Sequence, residues 1–225
     1  MIRVQQDFQE RINEIEGYFD FVMNIADGNT LLIKKGKDQE SAYTSQKQAD
    51  LVRTFKATAF LLLYNLMEST VSNAVEAIFD ELASFSISYD DCRREIKRVV
   101  LTNLKQHDVA DILPELGSFS IDVVSKTFRK NKIFSGNVDA QKIRKVADEY
   151  GFAHPSADGT SLVTIKSSRN DLAHGSKSFA EVGRDYTITE LIGMKDKVIA
   201  YLHAMLTSVA NYISQQQYLT APGRP

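Results

Sequence analysis

An all-α helical bundle is the fold class that this sequence predicts. The chain of 225 residues has four prolines and none before Pro114, so long helices meet no break through its first half. Apolar residues recur at spacings of three and four through several long segments, and no segment alternates strongly enough to require a sheet.

The elements follow in order. In "VQQDFQERINEIEGYFDFVMNIA" the residues Phe8, Ile12, Ile15, Phe19, Val22 and Met23 share one helical face, so a first helix runs to about Ala26. After "DGNT" and a polar, lysine-rich stretch, a longer helix is expected from near Ser41 or Thr44 to about Leu82. Its centre, "ATAFLLLYNLMESTVSNAVEAIF", is at first apolar nearly all round, which suits the middle of a bundle. A third helix is expected from Ser88, where "SYDDCRREIKRVVLTNLKQH" puts acidic residues first and basic ones later, as the helix dipole prefers.

Between Asp108 and Gly159 the signals shorten. A helical segment is expected from about Ile121 to Arg129, then a loop at "NKIFSGN", then a helix in "VDAQKIRKVADEYG" with Asn137 as its cap and Gly151 as its stop. Residues 108–159 thus read as a small helical insertion in a single domain of residues 1–219, followed by a flexible tail at 220–225. "SLVTIKSSRNDLAH" is a helix closed by Gly175, and "TITE" from Thr187 to Glu190 has the capping-box pattern before a last helix that ends near Tyr218.

Composition narrows the function classes. With 43% hydrophobic and 25% charged residues and a net charge of −2, the chain is an ordinary globular protein with no global field to attract nucleic acid. One cysteine, Cys92, allows no internal disulfide and no cysteine-rich zinc site. No secretory signal is evident and the longest apolar run is too short to span a bilayer, so a cytoplasmic protein without membrane attachment is expected. His107, His154 and His203 are far apart and lack a metal-ligand pattern. Glycine-rich phosphate loops and G-x-S-x-G elbows are absent, so neither a metal nor a cofactor is expected.

Chemistry concentrates in "SSRNDLAHG". On a helical wheel Leu162, Ile165, Leu172 and Ala173 form an apolar stripe, and Arg169 projects into its middle. A guanidinium cannot shed its proton, so burying it requires a partner. "YNLMEST" and the residues after it offer a polar side with Asn65, Glu68, Ser69, Ser72 and Glu76, and Glu68 is the expected partner of Arg169. His174 shares a second face with Val163, Ser167 and Asn170, at a helix end where the dipole favours a cation, which suits proton transfer. Periodicity alone leaves open a structural arginine and a histidine that caps its helix. A basic segment holds Lys126, Arg129, Lys130, Lys132, Lys142, Arg144 and Lys145 against Asp139, with Phe128 and Phe134 interspersed. It would suit an RNA backbone with stacked bases, or equally a solvated face over core phenylalanines.

"RNDLAHG" resembles the R-x4-6-H motif of the HEPN superfamily (higher eukaryotes and prokaryotes nucleotide-binding), in which a polar residue commonly follows the arginine, as Asn170 does. "FLLLYNLMEST", "FSGNVDAQKIRKVADEYGF" and "KSFAEVGRDYT" resemble segments of an uncharacterised prokaryotic branch of that superfamily. The resemblance implies a HEPN-like bundle that often dimerises with its motif helices near the two-fold axis. Many such relatives are metal-independent endoribonucleases of toxin–antitoxin and anti-phage defence systems; others bind nucleotides or serve as inactive partners. It makes Arg169 and His174 the catalytic pair, supported by Asn170, to which residue patterning adds Glu68 and Asn65. Expected partners are RNA, a second copy of the chain, and an antitoxin or other defence-system protein.

The chemistry gives these residue types a reason. A neighbouring 2′-hydroxyl can attack the phosphate without a metal, with histidine moving a proton and arginine stabilising the phosphorane-like transition state. Five residues of spacing send the two side chains about 140° apart on an ideal helix, so pairing motif helices across a dimer axis would help them converge. Some HEPN toxins carry a modifiable tyrosine two positions past the histidine; here that position is Ser176, which disfavours such control. A ribonuclease and a non-catalytic module for RNA, nucleotide or protein are the two function classes left.

Overall fold

The structure, a computed structural model, describes every residue except 31, 36–39, 43, 131–132, 134–136 and 221–225. The expected tail falls, beyond Thr220, outside the described residues. The chain is α-helical, with helices α1 to α9 among the described residues. It forms two compact units, one of residues 7–67 and 158–199 and the other of residues 1–6, 68–157 and 200–225. The helices α1 (Ile2–Ala26), α2 (Ser45–Ser84) and α9 (Ile188–Ser214) each contribute residues to both.

In the unit of residues 7–67 and 158–199, α1 buries Phe8, Ile12, Ile15, Phe19, Val22 and Ile25. Ile25 rather than Met23 completes the expected face. The Tyr18 hydroxyl donates to Phe55 O at 2.5 Å, fixing α1 against the first part of α2, and burial pushes its pKa up to about 12. The stretch expected to be an irregular lysine-rich loop contains an antiparallel two-stranded ribbon, β1 (Ile33–Lys35) and β2 (Glu40–Ala42), with Ile33 opposite Ala42. Ser41 therefore lies in a strand, and α2 starts at Ser45. Three-residue strands are too short to show a period of two.

Two further helices complete this unit, α7 (Thr160–Ala173) and α8 (Phe179–Arg184). Short as it is, α8 is set by a full capping box: the Ser178 hydroxyl accepts from Glu181 N at 3.2 Å, and Glu181 Oε2 accepts from Ser178 N at 2.8 Å. A side chain at Gly183 would place its Cβ 1.8 Å from Arg53 O, so α8 and α2 touch backbone to backbone there. The expected box before α9 is present, with Glu190 Oε2 accepting from Thr187 N at 2.7 Å and Thr187 Oγ1 accepting from Glu190 N at 3.2 Å.

In the other unit, the second part of α2 buries Val71, Val75, Ile78, Phe79 and Leu82. The helix expected from Ser88 is interrupted. Ser88 caps a single 3-10 turn, Tyr89–Asp91, after which the chain extends through Cys92 and Arg93, and α3 spans Arg94–Leu104. A distant segment causes the break: Arg93 N donates to Tyr218 O at 2.8 Å and Thr220 N to Asp91 O at 2.9 Å, bridging Cys92 to Leu219. That pairing also explains why α9 stops at Ser214 rather than near Tyr218, with Gln216 in the left-handed region at φ 48°. Next come α4 (Val109–Ile112), a 3-10 turn at Leu113–Glu115, α5 (Phe119–Lys126) and α6 (Ala140–Tyr150). Asp139, not Asn137, caps α6 by accepting from Lys142 N at 2.8 Å, and Gly151 ends it at φ 85° as expected. α3 packs on α6.

Candidate active site

The end of α7 is shaped by its last few residues. His174 is the C-cap, with its N–H donating to Asn170 O at 2.9 Å. Gly175 follows at φ 70°, and its N–H and that of Ser176 return to Leu172 O and Asp171 O at 3.3 and 2.9 Å. This is a Schellman closure, which glycine permits without strain. Lys177 Nζ, 3.6 Å from Asp171 Oδ2 and 4.0 Å from Asp185 Oδ2, adds a cation at the negative end of the helix.

Arg169 stands one turn earlier. The buried residues of α7 are Ser161, Leu162, Ile165, Ser168 and Leu172, so Ser168 belongs to the inner face and Ala173, expected there, is exposed. Arg169 is half-buried, as its place in the stripe implies. Its guanidinium carbon lies 4.3 Å from the centroid of the Tyr64 ring, and Nη1 donates to Asn170 Oδ1 at 3.0 Å. Such a cation–π contact is worth roughly 0.5–2 kcal/mol and orients the guanidinium plane.

Asn170 therefore meets both ends of the motif, taking Arg169 with its side chain and the His174 N–H with its backbone carbonyl. His174 is exposed. Tyr64 is the residue that the sequence reading passed over; its signal was its place one turn before Glu68 on α2. Glu68 is half-buried and Asn65 exposed, and Glu68 falls in the other unit.

A family model described as MAE_28990-like HEPN matches residues 3–218. The chain belongs to the HEPN superfamily. Neither the curated proteins nor the solved structures contain a match to it. The R-x4-6-H motif of this HEPN chain thus sits at the carboxyl end of α7.

The basic segment of this HEPN protein is dispersed in its surroundings. Lys130 Nζ donates to Glu76 Oε2 at 2.6 Å and to Asn73 Oδ1 at 2.5 Å, a compensation that local counting of charges missed. Lys145 is 3.9 Å from Glu149. Arg144 is exposed and interacts with the Tyr201 hydroxyl, whose pKa burial raises and Arg144 opposes. Lys126 is exposed and Lys142 half-buried, while Lys132 and Phe134 lie outside the described residues. Arg129 Nη2 meets His107 Nδ1 at 2.9 Å, and His107 Nε2 meets Thr127 O at 3.0 Å. A carbonyl only accepts, so Nε2 carries the proton and Nδ1 accepts from Arg129. His154 pairs with Asp148 at 2.7 Å and His203 is exposed. Among the described residues no cluster of three or more histidine, cysteine or acidic residues is arranged to hold a metal ion, and no helix is long and apolar enough to cross a membrane.

Proposed function

We propose that the protein is a metal-independent endoribonuclease, a toxin or anti-phage defence effector, with Arg169 and His174 as its catalytic pair. The observation that carries this reading is the arrangement at the end of α7: an exposed histidine at the C-cap, linked through Asn170 to an arginine oriented by Tyr64. An RNA 2′-oxygen attacks the adjacent phosphorus and the 5′-oxygen leaves, giving a 2′,3′-cyclic phosphate and a 5′-hydroxyl. Histidine carries a proton between these oxygens while the guanidinium stabilises the charge gathering on the phosphoryl oxygens.

The reading includes a homodimer that brings arginine from one protomer toward histidine from its partner, supporting roles for Glu68 and Asn65, and an antitoxin or other defence protein as regulator. Residues 108–159 are an insertion in one domain of residues 1–219, and carry the RNA-binding cations. The test is incubation of purified protein with single-stranded and structured RNA in chelator, beside His174→Ala. Cleavage to cyclic-phosphate ends that this substitution abolishes is the expected result. RNA binding without cleavage by either protein would replace the enzyme with a non-catalytic binding module.

A further inference from the structure

A cavity of about 230 Å³ opens between α3, α6 and the segment after α5, all within one unit. Its apolar wall includes Val99, Val146 and Phe128. Phe128 is a braced platform, since its ring stacks on Phe79 with centroids 4.2 Å apart and planes 20° apart. Asn103 and Gln106 supply amide donors and acceptors on the α3 side. Three cations, Arg98, Arg129 and Lys142, line the cavity against one carboxylate, Glu149, and Glu149 faces Lys145 at 3.9 Å. Arg129 is held in place by the neutral face of His107.

A braced aromatic, amides and surplus positive charge in one small space match a flat polar ring attached to phosphates. The volume falls below the roughly 300–1,000 Å³ of drug-sized sites, which admits one ring and excludes a duplex. Bases in a duplex stay stacked; bases in a single strand can be splayed out and placed on an aromatic side chain. We infer that this cavity seats one unstacked base of single-stranded RNA, with the adjoining phosphates on Arg98, Arg129 and Lys142. The inference rests on the RNA reading above and adds a recognition subsite to it.

Fluorescence anisotropy of an end-labelled twelve-nucleotide single strand, and of the same strand annealed to its complement, tests it in a His174→Ala background. Thr102 is exposed on α3 and lines the cavity, so Thr102→Trp fills the space without disturbing the core, which an unchanged melting temperature checks. This variant should weaken single-strand binding about tenfold, the order expected for one stacked base, leave duplex binding unchanged and keep the salt slope. Arg129→Gln should weaken binding and reduce the salt slope. If Thr102→Trp binds the single strand as tightly as the parent while Arg129→Gln does not, the cations form a surface patch only and the subsite is refuted, with RNA binding intact. If the parent binds neither RNA, the RNA reading fails and the subsite with it.

Discussion

Arg93 and Arg169 are two arginines drawn partly out of water, and they differ in what receives them. Arg93 Nε donates to Glu95 Oε2 at 2.7 Å, and Nη1 to Gly151 O at 3.0 Å and Gln217 O at 3.3 Å, with the side chain 25% exposed. It pins the start of α3, the end of α6 and the C-terminal segment together. Burial works against its charge, but the hydrogen bond and charge of Glu95 prevail and raise its pKa, and the Arg93 hydrogen bond in turn lowers that of Glu95. Arg169 lies on the Tyr64 ring, and an aromatic face orients a guanidinium while cancelling none of its charge. The first arrangement makes a clamp; the second suits a cation that must act on a phosphate.

That contrast breaks most directly by exchange of roles. His174→Ala and Arg169→Ala should each lower RNA cleavage at least about a hundredfold, with Arg169→Ala shifting stability by only about 1 kcal/mol in urea unfolding. An Arg169→Ala protein that is strongly destabilised yet cleaves normally would make Arg169 a second Arg93. Arg93→Ala should cost about 3 kcal/mol, because two carbonyls and a carboxylate lose their donor, while cleavage per folded molecule stays unchanged. Arg93→Lys should recover only part of this loss, since one ammonium cannot reproduce the fork.

Gly151→Ala is next in size. Its Cβ would stand 2.7 Å from Arg93 Cζ at a φ of 85°, so a loss of about 1–2 kcal/mol is expected, and a double-mutant cycle with Arg93→Ala should be non-additive. The smallest effect concerns Cys92, beside the clamp. Burial pushes its thiol up from 9.0 to about 11, so iodoacetamide at pH 8 should label the folded protein far more slowly than the unfolded one. Because the folded pKa is the higher one, the contribution to stability is complete below the unfolded value and is lost as pH rises from 9 to 11; melting temperatures measured across that range read it.

Long amphipathic segments were legible: α1, α2, α6, α7 and α9 follow from periodicity and end signals, and Arg169 stands in the inner stripe where the wheel put it. What escaped was either too short to carry a period, as in β1, β2, α4 and α8, or decided by distant chain. Cys92 reads locally as the first turn of a helix, yet its backbone pairs with Leu219. Lys130 reads as a solvated cation, yet Glu76 receives it. Asn137 and Asp139 are both sound caps by composition, and only the geometry of α6 selects Asp139. At the site, the wheel indicated that Arg169 needed company and the search for a carboxylate overlooked the ring of Tyr64.

Asn170 carries a further implication through its two separate contacts. Its amide oxygen steers the guanidinium, whereas the histidine is anchored by a main-chain carbonyl that any residue would supply. The two halves of the motif are therefore adjustable independently: exchanging the side chain at this position retunes the arginine and leaves the histidine where it stands.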